Sequence, residues 1–242
     1  RFVDGCSGAE LHRLPIEPLV SFLRHPAHTC FNRMRYKYSR GYLLPSWRWE
    51  ADITRTRAVR SGATPRSFLF DLGASLYSQG LGGASQKWFV EGYQRRGITF
   101  DRVLAWEAFN FSGGAPRILA SFPPEVLDRL SYYNVPVVPT PGHPFNPWRT
   151  LAAIARPDDF VVVKLDIDNS PVEEKLVRHL LGDRALAALV DEFYFEHHVG
   201  ESPMMSQGWA PRGGTRPTQT LAQSYEAFTE LRRLGVRAHS WV

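Results

Sequence analysis

An α/β fold is predicted, with an open, doubly wound, mostly parallel sheet and helices on both faces. Three features point to it. Short apolar runs alternate with amphipathic helical stretches from residue 66 onward. The most apolar run, DDFVVVKLDID, has the composition of a central strand buried on both faces. Helix-opening signals recur between the runs. Residues 1–65, broken by Pro15, Pro18, Pro26 and Pro45, read as an irregular N-terminal extension wrapping a core domain over 66–242.

Ser67 to Asp71 is the first short apolar strand of the core. A helix follows, with Ser85 as N-cap, Phe89 and Tyr93 four apart on one face, and Gly97 as the stop. ITFDRVLAWE makes a strand ending at Glu107. Pro123 and Pro124 open a helix running to about Leu130, and VPVVPT is the third strand. Asn146 and Pro147 start a helix to about Ala155, before the DDFVVVKLDID strand. Ser170, Pro171 and Glu173 form a capping box with proline at the first helical position. Val172, Leu176 and Leu180 are that helix's buried stripe, and Gly182 ends it. VDEFYFEHHV is a fifth strand. The last helix carries Leu221, Tyr225, Phe228 and Leu231, stops at Gly235 and leads into VRAHSWV.

Composition narrows the class. Apolar content of 43% is enough for a sizeable core, and no uncharged apolar run reaches the ~18 residues of a transmembrane helix. A start at Arg1 predicts a processed or trimmed piece. Residues 31–66 hold nine Arg and Lys against Glu50 and Asp52, a net +7 that leaves the rest of the chain at −2. Within them FNRMRYKYSR interleaves cations with Phe31, Tyr36 and Tyr38. That mix suits phosphate contacts and base stacking, an anionic or carbohydrate acceptor, or a solvated face docked on the core. No recognised nucleic-acid module accompanies it, so nucleic acid is disfavoured. Cys6 and Cys30 form no C-x-x-C pair and read either as one disulfide or as two free thiols. His25, His28 and Cys30 match no common zinc spacing.

The chemistry concentrates in FLFDLGASLYSQGLGGASQKWF, residues 68–89. In a doubly wound sheet, ligands bind beyond the carboxyl ends of the strands, where the strand order reverses. The turn after the first strand offers backbone N–H groups and a helix N-terminus, and an acid ending the second strand takes ribose hydroxyls. Asp71, Gly73, Ala74 and Ser75 occupy the first place, Glu107 and Ala108 the second. A dinucleotide loop would read G-x-G-x-x-G directly after the strand. Here Asp71 precedes the first glycine, and Gly80 follows seven residues after Gly73. An acid in that position can accept a hydrogen bond from a cationic amine, which S-adenosylmethionine carries and NAD does not. The reading is therefore a Rossmann-like S-adenosylmethionine site.

Further along, Asp166 and Asp168 end the fourth strand, while Glu196, His197 and His198 end the fifth. If those strands are neighbours, the residues converge at one rim. Deprotonating an acceptor hydroxyl in line with a methyl sulfonium needs a carboxylate or neutral imidazole. Asp166, Asp168 and His197 are the catalytic candidates, with Asp166 or His197 the first choice as base. A divalent metal on Asp166, Asp168, Asn169 and His197 is the lesser reading. A surface turn with no catalytic part is a third.

These motifs, in this order, resemble the FkbM family of S-adenosylmethionine-dependent methyltransferases over about residues 66–200. Its D-x-G-A-N-x-G-like loop is matched by Asp71-Leu72-Gly73-Ala74-Ser75, and its aromatic-Glu strand end by Trp106-Glu107. Its K-x-D-x-E-G strand is matched by Lys164-Leu165-Asp166-Ile167-Asp168-Asn169, and its E-x-H strand end by Glu196 with His197 and His198. The resemblance implies O-methylation of a hydroxyl on a sugar, glycan or other small polar acceptor. Ser75 in place of Asn, Tyr77 in place of a second glycine, the added Gly80-Leu81-Gly82-Gly83 and Asp168-Asn169 in place of Glu-Gly depart from the pattern. These departures suit the alternative of a catalytically inactive methyltransferase-like binding or structural subunit. The compartment stays open, with the cysteine pair and a glycan-type acceptor pointing toward a secretory lumen.

Overall fold

The computed structural model describes residues 2–3, 10–12, 15–19, 40–45, 64–79, 85–110, 112–200 and 217–241. Cys6, Cys30, His25, His28, the basic run before Arg40 and the glycines at 80, 82 and 83 lie outside them.

Near the N-terminus, β1 (Phe2–Val3) pairs antiparallel with β2 (Glu10–His12). The core sheet holds β3 (Ser67–Leu72), β4 (Arg102–Trp106), β5 (Leu130–Tyr133), β6 (Phe160–Leu165), β7 (Glu192–Phe195) and β8 (Arg237–Ser240). All pair in parallel in the order β5-β4-β3-β6-β7-β8. The order reverses between β3 and β6, so the connections leaving these two strands diverge and open a crevice at their carboxyl ends.

Alternation along the strands sorts the core into two layers. Phe68, Phe70, Val161, Val163, Phe193 and Phe195 face one way, under α4 (Pro147–Ile154), α5 (Ser170–Gly182), α6 (Arg184–Ala187) and α7 (Leu221–Arg233). Leu69, Val103, Phe160, Val162 and Tyr194 face the other, under α1 (Ser85–Gln94), α2 (Gly114–Ala120) and α3 (Pro124–Leu127). The sheet is thus the doubly wound, Rossmann-like one that the sequence predicts, covered on both faces.

Three local readings shift. The third strand is Leu130–Tyr133 and not VPVVPT, because Pro136 and Pro139 carry no N–H for a ladder while LSYY can pair fully with β4. The preceding helix is accordingly short, and α2 forms over a stretch with no periodic apolar pattern. Helix α5 is capped by Asn169, whose Oδ1 accepts from the Val172 amide at 3.3 Å, and Ser170 is its first residue. Glu173 does not close a capping box. Its Oε1 instead accepts the Ile167 amide at 2.9 Å. By contrast the Asn146 cap of α4 stands as read, accepting from Trp148 N at 2.8 Å.

Candidate functional site

A cavity of about 750 Å³ opens at the carboxyl ends of β3, β4 and β6, the place where the strand order reverses. Gly73 and Ser75 line it from the loop after β3, and Ser85 from the start of α1. Glu107, Ala108 and Phe109 come from the loop after β4, and Asp166, Asp168 and Asn169 from the loop after β6.

Gly73 is required by that crossing. Its φ is +90°, and a Cβ there would lie 1.6 Å from the Asp166 carbonyl oxygen. The loops after β3 and β6 therefore touch backbone to backbone. The Gly73 and Ala74 amides both donate to the Trp106 carbonyl, at 3.0 and 2.8 Å, which ties the first loop to the end of β4. The Ser75 hydroxyl donates to the Gln79 carbonyl at 2.7 Å. The loop therefore offers a ligand its shape and close approach, while these two amides are already engaged.

Asp71 does not line the cavity. It lies fully buried beside Lys164, its register partner on β6, with Oδ1 3.1 Å from Nζ. Lys164 also reaches Asp166 Oδ2 at 3.3 Å and donates to the Gly73 carbonyl at 2.8 Å. The cation that the sequence reading assigned to the ligand's amine is thus supplied by the chain itself. Burial alone would lower Lys164. The Asp166 and Asp71 carboxylates outweigh it and hold the ammonium above the ordinary lysine value. Asp166 is pushed up by burial but is held below the usual carboxylate range by Lys164. Its Oδ2 also accepts the Trp241 indole N–H at 3.1 Å.

Glu107 is half-buried on the cavity wall, and its Oε1 accepts the Phe109 amide at 2.6 Å. Burial raises its pKa. Asn134 pins this loop by donating to the Glu107 carbonyl at 2.7 Å and the Phe109 carbonyl at 3.2 Å. Phe109 stays 62% exposed at the mouth of the cavity.

The two histidines separate by strand alternation. His197 turns to the α7 side, stacked 4.6 Å from Phe195, with Nδ1 2.9 Å from the Ser224 hydroxyl. Burial drives it down to about 4, so it is neutral, and it does not reach the cavity. His198 takes the opposite side, with Nε2 3.9 Å from Asp168 Oδ1 and 3.6 Å from Glu196 Oε2. His198 is therefore the imidazole beside Asp168, behind the cavity wall and not in it, and His197 is corrected to a core residue. Asp168, held at φ +54° just before the Asn169 cap, borders the cavity.

Of the metal set read from sequence, His197 faces away, Asp166 is committed to Lys164 and Trp241, and the Asn169 side chain caps α5. Among the described residues, the group that converges is Asp168, Glu196 and His198, with ligand atoms within 4.8 Å of one another.

Trp241 and Asn134 carry no sequence signal, whereas Arg40 closes the FNRMRYKYSR run whose readings include an acceptor pocket. Arg40 lines the cavity, with its guanidinium 3.9 Å from the centre of the Trp241 ring. No spacing in the sequence signals that contact. The His198 choice was accessible, because it shares strand parity with Tyr194 on the Lys164 side of the sheet. No described helix is long and apolar enough to cross a membrane. Comparison with protein-family models, curated proteins and solved structures finds no match to this chain.

Proposed function

We propose that the chain is an S-adenosylmethionine-dependent O-methyltransferase acting on a hydroxyl of a sugar, glycan or other small polar molecule. The observation that carries this reading is the cavity itself. It lies at the reversal of strand order, with Gly73 allowing close approach and the Glu107 carboxylate at the end of β4 available to ribose hydroxyls. The FkbM-like order of motifs supports the same assignment.

Within this reading, Glu107, Ala108, Gly73 and Ser75 surround the nucleoside portion. Glu107, Asp166 and Asp168 border the cavity together with Lys164 and Arg40; with Asp166 paired to Lys164, the Glu107 and Asp168 carboxylates are the ones that favour a sulfonium cation, against the Arg40 guanidinium on the same wall. Asp71 acts one layer below, by fixing Lys164 and through it the Gly73 loop. Asp166, bound to Lys164 and Trp241, is a poor base. The proton of the acceptor hydroxyl goes to Asp168, with His198 beside it to share the charge. Phe109 offers a face for a sugar ring.

Thermal unfolding with S-adenosylhomocysteine tests the cofactor half of the proposal. Ligand at about 100 times its dissociation constant adds roughly 2.7 kcal/mol of stability. No shift at millimolar ligand contradicts the reading. One observation favours a second reading, a binding domain without catalysis. Asp166 and His197, two of the expected catalytic groups, are respectively ion-paired and turned away. Labelled methyl transfer across a panel of sugars and polyols separates the two, since the inactive domain binds cofactor and transfers nothing.

A further inference from the structure

Two pieces of the N-terminal extension, residues 15–19 and 40–45, lie along β8, an outer strand of the core sheet. The contacts are polar and specific. The Tyr42 hydroxyl donates to the Ser240 carbonyl at 2.8 Å, and Arg237 donates to the Pro15 carbonyl at 3.0 Å and to the Leu44 carbonyl. Glu17 joins the two pieces to each other, because its Oε2 accepts the Leu44 amide at 3.1 Å. It also joins them to the core, with Oε1 2.8 Å from His239 Nδ1. On its other side His239 has Nε2 3.6 Å from Glu192 Oε2, and its ring stacks 4.3 Å from Tyr194.

The second of these pieces begins with Arg40, a residue of the cavity wall whose guanidinium covers the buried Trp241 ring. Trp241 in turn donates to Asp166. A continuous path of contacts thus runs from a buried histidine at the edge of the sheet to a carboxylate of the site.

We propose that the extension is a clasp that completes the ligand cavity: His239, bridged between Glu17 of the extension and Glu192 of the sheet, holds Arg40 in place over Trp241. The proposal rests on the cavity being a ligand site. Glu17 and His239 are positioning residues, and Arg40 is the wall residue they position. With Nδ1 hydrogen-bonded to Glu17 and Nε2 3.6 Å from Glu192 Oε2, the ring faces a carboxylate on each side favourably only as the imidazolium, with both nitrogens protonated.

The charges facing His239 fix the direction of pH dependence. Glu17 comes from the extension, Glu192 and Tyr194 from β7, Arg237 from β8, Arg232 from α7 at 3.9 Å from Glu17, and Tyr93 from α1 through its hydrogen bond to Glu192. Burial would lower His239, but the two carboxylates, Glu17 first, raise it above an ordinary imidazole. A raised folded-state pKa gives stabilisation that is complete below about pH 6.5 and is lost as pH climbs through the folded value. The clasp is therefore tightest at low pH and loosens as pH climbs through the raised folded-state value of His239.

Hydrogen exchange on the full chain reads the clasp without any ligand, with the Leu44 amide as reporter. Protection of residues 15–19 and 40–45, corrected for the intrinsic rate, falls about tenfold or more between pH 6.5 and 9, the worth of a charge-assisted hydrogen bond. Glu17→Gln, which alters only the extension, gives low protection that no longer varies with pH, while exchange in β3 to β7 stays as in the wild type. His239→Gln gives the same pattern. S-adenosylhomocysteine then binds Glu17→Gln about tenfold more weakly than it binds the wild type. Equal protection of wild type and Glu17→Gln across the pH range overturns the clasp. So does loosened protection with unchanged affinity, which makes the extension a cover only. A wild-type chain that binds no S-adenosylhomocysteine contradicts the cofactor reading instead, and the clasp still stands or falls on the exchange data.

Discussion

Lys164 shows how a charge can belong in an apolar strand. Its ammonium is almost fully buried, yet it meets two carboxylates and the Gly73 carbonyl. Removing one member of a buried ion pair strands the other. Lys164→Met is expected to destabilise the chain by about 3–5 kcal/mol in urea unfolding, and adding Asp71→Asn to recover part of that loss. Gly73→Ala forces a Cβ onto a backbone oxygen, with an expected loss on the order of 4 kcal/mol or failure to fold. Glu173 makes a quieter point. Burial raises it to about 8, so its folded form is protonated at neutral pH. A carboxyl with a raised folded-state pKa stabilises fully below its unfolded value of about 4.3, and that contribution is lost as pH rises through 8. Stability should fall between pH 5 and 8. Glu173→Gln should flatten that slope and gain on the order of 2 kcal/mol at pH 8, measured by urea unfolding at both pH values.

Elements were legible where a strong local signal agreed with packing. The Asn146-Pro147 start of α4 and the FVVVKL strand needed nothing beyond sequence, because cap chemistry and two-sided burial are local properties. The third strand was not legible, since VPVVPT is more apolar than LSYY and only the ladder's need for N–H donors rejects it. The α5 cap moved by one residue because Asn169 competes with Ser170 for the same amides, and Glu173 is drawn inward to Ile167 N. Asn169→Ala is expected to cost about 1 kcal/mol and to relax the neighbouring Asp168, read as weaker ligand binding alongside a lower Tm. His198 belongs to this scale too. Its approach to Asp168 follows from strand alternation carried three residues past Phe195, whereas the convergence of β6 and β7 ends required the sheet order.

At the scale of the molecule, strand order, cavity and extension form one argument. The reversal between β3 and β6 places the crevice. Glu107 and the Gly73 loop shape it, and the N-terminal extension walls it with Arg40. The sequence signalled the first two through Asp71, Gly73 and Glu107. The third is a contact between residues about two hundred positions apart, as in Tyr42 with Ser240, and no periodicity reports such a pairing. It also could not show that Asp71 meets Lys164, because that depends on the register of two strands separated by more than ninety residues.

The central claim is that this cavity holds an S-adenosyl ligand against Glu107. Titration calorimetry with S-adenosylhomocysteine tests it on wild type and Glu107→Ala. The account predicts one site per chain and an affinity at least about tenfold weaker in the variant, the loss of a hydrogen-bonded charge. No binding heat with the wild type, or equal affinity in the two proteins, would contradict it.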